Sequence, residues 1–122
     1  MSSFSTKARQ GISLFNQRQF FTAHEYFEDA WRETTDESRE FYRALLHISG
    51  GFFRLSQDRP SAARKFFSRA LDWLTRFENP TFGFNTAKLR RYIEILIQAI
   101  DQEEDSAAIL KAHFQPIQPS DE

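Results

Sequence analysis

Between Phe20 and Trp31 the chain reads FFTAHEYFEDAW, with apolar residues recurring at three- and four-residue steps. At about 100° per residue, Phe20, Ala23, His24, Phe27 and Trp31 fall within about 100° of one another. Such a stripe cannot alternate across a strand, so it commits the segment to a helix. The chain also has 14 phenylalanines and no valine, and so many aromatics with few β-branched residues argue for an all-α core filled by rings. Each ring buries roughly 150–250 Å². One domain of 122 residues can be held by such a core without staples.

The same period organises the rest of the chain. A first helix is predicted over residues 6–15, with Ala8, Ile12 and Phe15 on one face, Phe4 leading in, and Asn16 as a left-handed stop. The second covers 19–33. Thr34 and Glu37 have capping-box spacing and open a third over 36–57. Its main stripe is Phe41, Ala44, Leu45, Ile48, Phe52 and Leu55. Tyr42, Leu46 and Phe53 make further faces apolar, which marks it as the central helix. Asp58 is expected to cap a fourth helix, with Pro60 in its first turn, reaching about residue 77. After the break at Asn79-Pro80 and Gly83, Asn85 or Thr86 caps a fifth helix to about residue 100, and a short last helix covers 106–112. The expectation is a single all-α domain over residues 1–112: a compact bundle of about five helices in antiparallel hairpins, followed by an extended or disordered tail over 113–122.

Within that frame the chain echoes itself. Aligning Phe20–Trp31 with Pro60–Leu71 puts Ala23 on Ala63, Phe27 on Phe67 and Ala30 on Ala70, an offset of 40 residues. The spacing is like that of a tetratricopeptide helix, but that repeat has a period of about 34 and a different first helix. A duplicated hairpin packing mode is the reading, not a solenoid. Gly50-Gly51, inside the third helix, costs about 1 kcal/mol per glycine relative to alanine. It marks either a close helix approach or a kink.

Composition excludes several functions. The net charge of −1 gives no broad field for nucleic acid or an acidic membrane. Lys88, Arg90 and Arg91, with Arg64, Lys65 and Arg69, amount to a modest basic patch or to solvated helix faces. Without cysteine there are no disulfides, thiolate metal sites or cysteine nucleophiles. The N-terminal segment has no signal-peptide core, and the apolar run 44–53 is too short to cross a bilayer, so a soluble cytoplasmic protein is expected.

The polar candidates centre on His24. His24-Glu25-Tyr26-Phe27-Glu28 has the form HExxE, which sets two potential metal ligands, His24 and Glu28, one helical turn apart. Glu25 points outward on the wheel. His47 is the one other histidine outside the tail, because His113 lies near its start. The candidate polar cluster is therefore His24, Glu28, Trp31, Tyr42 and His47. No serine elbow and no phosphate loop accompanies it, no catalytic residue is assigned, and no cofactor is called for. In the simpler reading His24 is a core histidine satisfied by a neighbour, and Glu28 pairs with it or with an arginine. A non-catalytic interaction or scaffold module with a buried His–Glu cluster is the favoured expectation, binding a protein partner or a second copy. The alternative is a small-molecule or metal-dependent enzyme using His24, Glu28 and His47 in an interhelical pocket.

The segment from Phe15 to Arg32, with its Ala-His-Glu-x-x-Glu-x-x-Trp-Arg core (the last two being Trp31 and Arg32), resembles domain-of-unknown-function family 309, a set of small all-helical proteins. Residues 44–71, with their long apolar helix, polar turn and alanine-bearing helix, resemble it as well. The resemblance covers roughly residues 8–100 and implies the all-helical fold, with no activity attached. Three positions depart from the family pattern: Arg18 for a common glycine, His47 for a usual glutamine, and Arg54 for a usual histidine. The first of these moves the expected left-handed turn to Asn16.

Overall fold

The computed structural model describes residues 4–119. They form six helices: α1 Thr6–Asn16, α2 Phe20–Glu33, α3 Ser38–Ser56, α4 Pro60–Leu74, α5 Thr86–Asp101 and α6 Ser106–His113. Among the described residues there is no strand, only an isolated bridge between Thr81 and Phe84. The predicted domain span begins at residues 1–3 and the predicted tail ends at 120–122, both outside the described residues. Each helix packs on its sequence neighbours, and α6 folds back onto α3. The α3 helix is central, as its many-sided apolar pattern requires: Phe41, Tyr42, Ala44, Leu45, Ile48 and Phe52 are wholly buried.

The forty-residue echo extends into three dimensions. Ala23, Phe27 and Ala30, and their counterparts Ala63, Phe67 and Ala70, are all fully buried. A Cβ on Gly11 would meet Phe27 at 2.7 Å, and one on Gly51 would meet Phe67 at 2.4 Å. The Gly50 position stands against Phe66 in the same way, at 2.7 Å. The paired glycines therefore mark a close approach, and α3 runs unbroken through them.

The turns repeat too. The Gln17 and Gln57 N–H groups each donate to two carbonyls of the preceding turn. Arg18 N–H donates to Phe15 O at 2.8 Å, and Asp58 N–H to Leu55 O at 2.9 Å. Arg18 and Asp58 both take positive φ, 64° and 57°. This corrects two expectations. The left-handed residue after α1 is Arg18 itself, while Asn16 stays helical. Asp58 is that same turn residue, so it is not the cap of α4, whose N-cap Arg59 makes no side-chain bond. Glu103 repeats the pattern before α6, with φ 59° and a bond to Ile100 O at 2.9 Å. Among the described residues the turn thus occurs three times.

The helix starts show one more difference. The Thr34/Glu37 capping box does not form, since Glu37 is the N-cap and makes no side-chain bond. Asp36 acts instead, accepting from Ser38 N at 2.8 Å and from the Ser38 hydroxyl. An Asx turn only two residues long competes well with a longer reach. Asn85 caps α5 as expected, accepting from Lys88 N at 2.9 Å. The α4 helix ends at Leu74 rather than near residue 77, and the loop beyond it folds Phe77, Phe82 and Phe84 around Phe41. At the other end Phe15, Phe20, Phe52 and Phe114 form a second ring cluster.

The segment after α6 is extended and pinned at two points. Asn16 exchanges two hydrogen bonds with Ile117, donating to its O at 3.0 Å and accepting from its N at 2.8 Å. The Tyr92 hydroxyl likewise accepts from Gln115 N at 2.7 Å and donates to Gln115 O at 3.0 Å. Ile117 is buried. Burial pushes the Tyr92 hydroxyl's pKa well up, against the smaller opposite pulls of the Gln115 bond and Arg18.

Candidate functional site

The α2 and α3 helices place the five candidate residues in different surroundings. His24 is half-buried rather than fully in the core stripe, and its buried Nδ1 has no partner. Glu28, one turn on, is engaged elsewhere: Arg32 donates to it through Nη2 at 2.8 Å. Of the two partners open to Glu28, the arginine has it, and no bond joins it to His24. The helix favours this outcome, because an i,i+4 carboxylate–arginine pair forms at no tertiary cost.

Tyr42 stands apart from the others. Its hydroxyl accepts from Ser5 N at 2.6 Å, and its ring meets Phe4 edge-on at 5.1 Å. It lies about 140° around α3 from His47 and anchors the start of the chain. His47 is half-buried against Phe66, ring centroids 6.0 Å apart, with its buried Nδ1 unpartnered. Burial, reinforced by the charges of Arg43, Arg69 and His24, pulls its pKa from 6.5 down to about 4. The ring is therefore neutral at pH 7. The two histidines thus share one electrostatic neighbourhood. Among the described residues no three His, Asp or Glu side chains converge as a ligand set.

Trp31 leads to the residues that the sequence reading missed. Also half-buried rather than core, it lies beneath Arg39 at 4.5 Å and Arg43 at 5.2 Å. Arg43 also lies over Trp73 at 4.6 Å, and Arg76 closes over the other end at 3.8 Å. The order Arg39–Trp31–Arg43–Trp73–Arg76 makes an alternating ladder across α2, α3 and the end of α4. Arg39 is further fixed by donating from Nε to Trp31 O at 3.1 Å. The only sequence signal was weak: Arg39 and Arg43 are one turn apart, and so, nearly, are Trp73 and Arg76.

The expected basic patch divides. Arg64 forms a two-pronged pair with Asp101 at 2.6 and 2.9 Å, and Arg90 donates to the Leu74 and Phe77 carbonyls. Lys65 and Arg69 turn toward the α3–α4 turn instead. Among the described residues no helix is long and apolar enough to cross a membrane.

Residues 8–66 match the family described as Domain of unknown function (DUF309), the family that the Phe15–Arg32 segment resembles. The match spans α1 to α3 and the first part of α4. It takes in His24, Glu28, Trp31, Tyr42 and His47 and stops short of Trp73 and Arg76. No curated protein matches the chain.

Proposed function

We propose that this chain, whose residues 8–66 match the DUF309 family, is a non-catalytic interaction module that docks a carboxylate-bearing protein partner on the arginine–tryptophan ladder. One observation supports the reading: Arg43 lies over both Trp31 and Trp73, with Arg39 also over the first ring and Arg76 over the second. The rings hold the guanidinium groups in place, and those of Arg43 and Arg76 keep their N–H groups free to grip a carboxylate bidentately, while Arg39 is already engaged by Trp31 O and Glu40. Much of the entropy cost of docking is then met before the partner arrives. Tryptophan and arginine are also the side chains that most often dominate binding energy. Among the described residues the Arg43 and Arg76 side chains make no hydrogen bond or ion pair, and Arg76 donates only from its backbone N–H, to Trp73 O, so both guanidinium groups retain donors for a partner. Glu28, which the alternative enzyme reading would pair with His24, is engaged by Arg32.

The test is affinity capture with the wild-type chain, Trp73→Ala, Arg43→Gln and, as a control on α6, Lys111→Ala. Sedimentation then distinguishes a foreign partner from a second copy. A partner held by wild type and control should weaken by at least about tenfold with either face variant. Equal capture by all four folded proteins would sink the proposal.

A further inference from the structure

The turn between α3 and α4 opens on a groove of about 540 Å³, within the size range of small-molecule sites. Arg54 reaches it from the end of α3, Arg59 from the turn, and Lys65 and Arg69 from successive turns of α4, with Phe66 between them. No carboxylate lines it. Among the described residues none of the four cations makes an ion pair, and Arg54 donates only to Gln57 Oε1, at 2.9 Å. Asp58 and Asp72, the acidic residues nearest in sequence, make no ion pair either. In a chain of net charge −1 this concentration is local, and four like charges around one groove repel until an anion joins them. The field reaches beyond the groove, since Arg69 is one of the charges that depress the His47 pKa. At the rim the first N–H groups of α4, at Ser61 and after it, have no side-chain cap.

We propose that this groove binds a small molecule carrying two or more linked phosphate groups. Lys65 and Arg69, at i and i+4, have Cβ atoms about 5–6 Å apart, so adjacent phosphates can each meet one of them. Arg54 and Arg59 hold the near end. A single monoanion would leave most of the four charges unmatched, whereas a diphosphate brings three or four negative charges in one compact group. The groove shares no residue with the ladder, so the two sites stand or fall separately.

The probe is inorganic pyrophosphate, titrated into the full chain by calorimetry at low salt with divalent metals chelated. Sulfate and orthophosphate serve as matched controls. Saturable one-to-one binding is expected, about tenfold tighter than either control, and weakened about tenfold or more by Arg59→Gln or Arg69→Gln. Arg76→Gln and Trp73→Ala, outside the groove, should leave it unchanged. These groove side chains are exposed, so circular dichroism should show intact variants. Should Arg69→Gln unfold, Lys65→Gln on the same wall replaces it. The proposal is overturned by any of three outcomes: no saturable heat, equal affinity for sulfate at matched ionic strength, or an Arg76→Gln loss as large as that of Arg69→Gln.

Discussion

In the α1–α2 hairpin Gly11 lies against Phe27, and forty residues on, in α3–α4, Gly51 lies against Phe67. The turns carry the same bonds and the same left-handed residue. On their outer faces the two hairpins differ. The first pairs several of its charges, Lys7 with Asp29 at 3.3 Å and Glu33 at 3.0 Å, and Arg32 with Glu28 at 2.8 Å. The second leaves Arg54, Arg59, Lys65 and Arg69 without acidic partners around a groove. Internal geometry is constrained at every contact by close packing, whereas an exposed charge is constrained by little except its use. The difference singles out the outer face of the second hairpin, where the proposed groove lies.

The largest effect tests the likeness. Phe27 and Phe67 are both fully buried against glycines, so Phe27→Ala and Phe67→Ala should each cost about 3–5 kcal/mol in urea unfolding. Costs within about 1 kcal/mol of each other would support equivalent hairpins, given the usual context spread. A cost below about 1 kcal/mol for either one would break the comparison.

Stability against pH tests the difference, because His47 belongs to the second hairpin alone. Its folded pKa, about 4, lies below the ordinary 6.5. The unfolded chain therefore takes up a proton that the folded chain refuses. Stability is fully present above about pH 6.5 and is lost as pH falls toward 4. The full linkage would be about 3 kcal/mol, and partial solvent access reduces it to about 1–2 kcal/mol. His47→Gln should flatten that slope in urea midpoints measured across the window. A slope unchanged by the substitution would place its origin elsewhere. Asp36 and Asp101 do not confuse the reading. The Ser38 bonds at Asp36 and the Arg64 bonds at Asp101 hold both carboxyls below their ordinary 3.8, so their contribution is lost only at lower pH.

The helices, the central place of α3 and the duplicated packing were legible because each depends on residues a few positions apart with a fixed period. The caps were less so. Asp36 and Thr34 are both good N-terminal residues two positions apart, and only the backbone decides between them. Around His24 the sequence offered His47 only as the other available histidine, and left Glu28 open between His24 and an arginine it did not identify. The ladder was invisible because Trp31, Arg43 and Trp73 come from three helices, and no spacing along the chain links them. Of the four cations around the groove, the sequence marks Lys65 and Arg69, with Arg64, as a modest basic patch or solvated helix face, and Arg54 and Arg59 join them only through the fold of the α3–α4 turn.

The smallest effect concerns the turns themselves. Arg18 and Asp58 occupy the left-handed region, which costs an ordinary L-residue about 1–2 kcal/mol and costs glycine almost nothing. Aspartate tolerates this region better than most side chains, so after allowing for the extra freedom glycine has when unfolded, Asp58→Gly should gain about 0.5 kcal/mol. Arg18→Gly should gain less, because the Arg18 guanidinium sits 4.5 Å from the Phe114 ring and a stack of that kind is worth about 0.5–1 kcal/mol. Phe114 in turn packs on Phe15, Phe20 and Phe52, so the arginine helps hold the end of α6 against the first hairpin. Removing it should therefore be close to neutral, and thermal melts of the two variants should separate by a few degrees. Equal gains would mean that the stack on Phe114 contributes nothing. A larger gain at position 18 would mean that arginine there is merely strained.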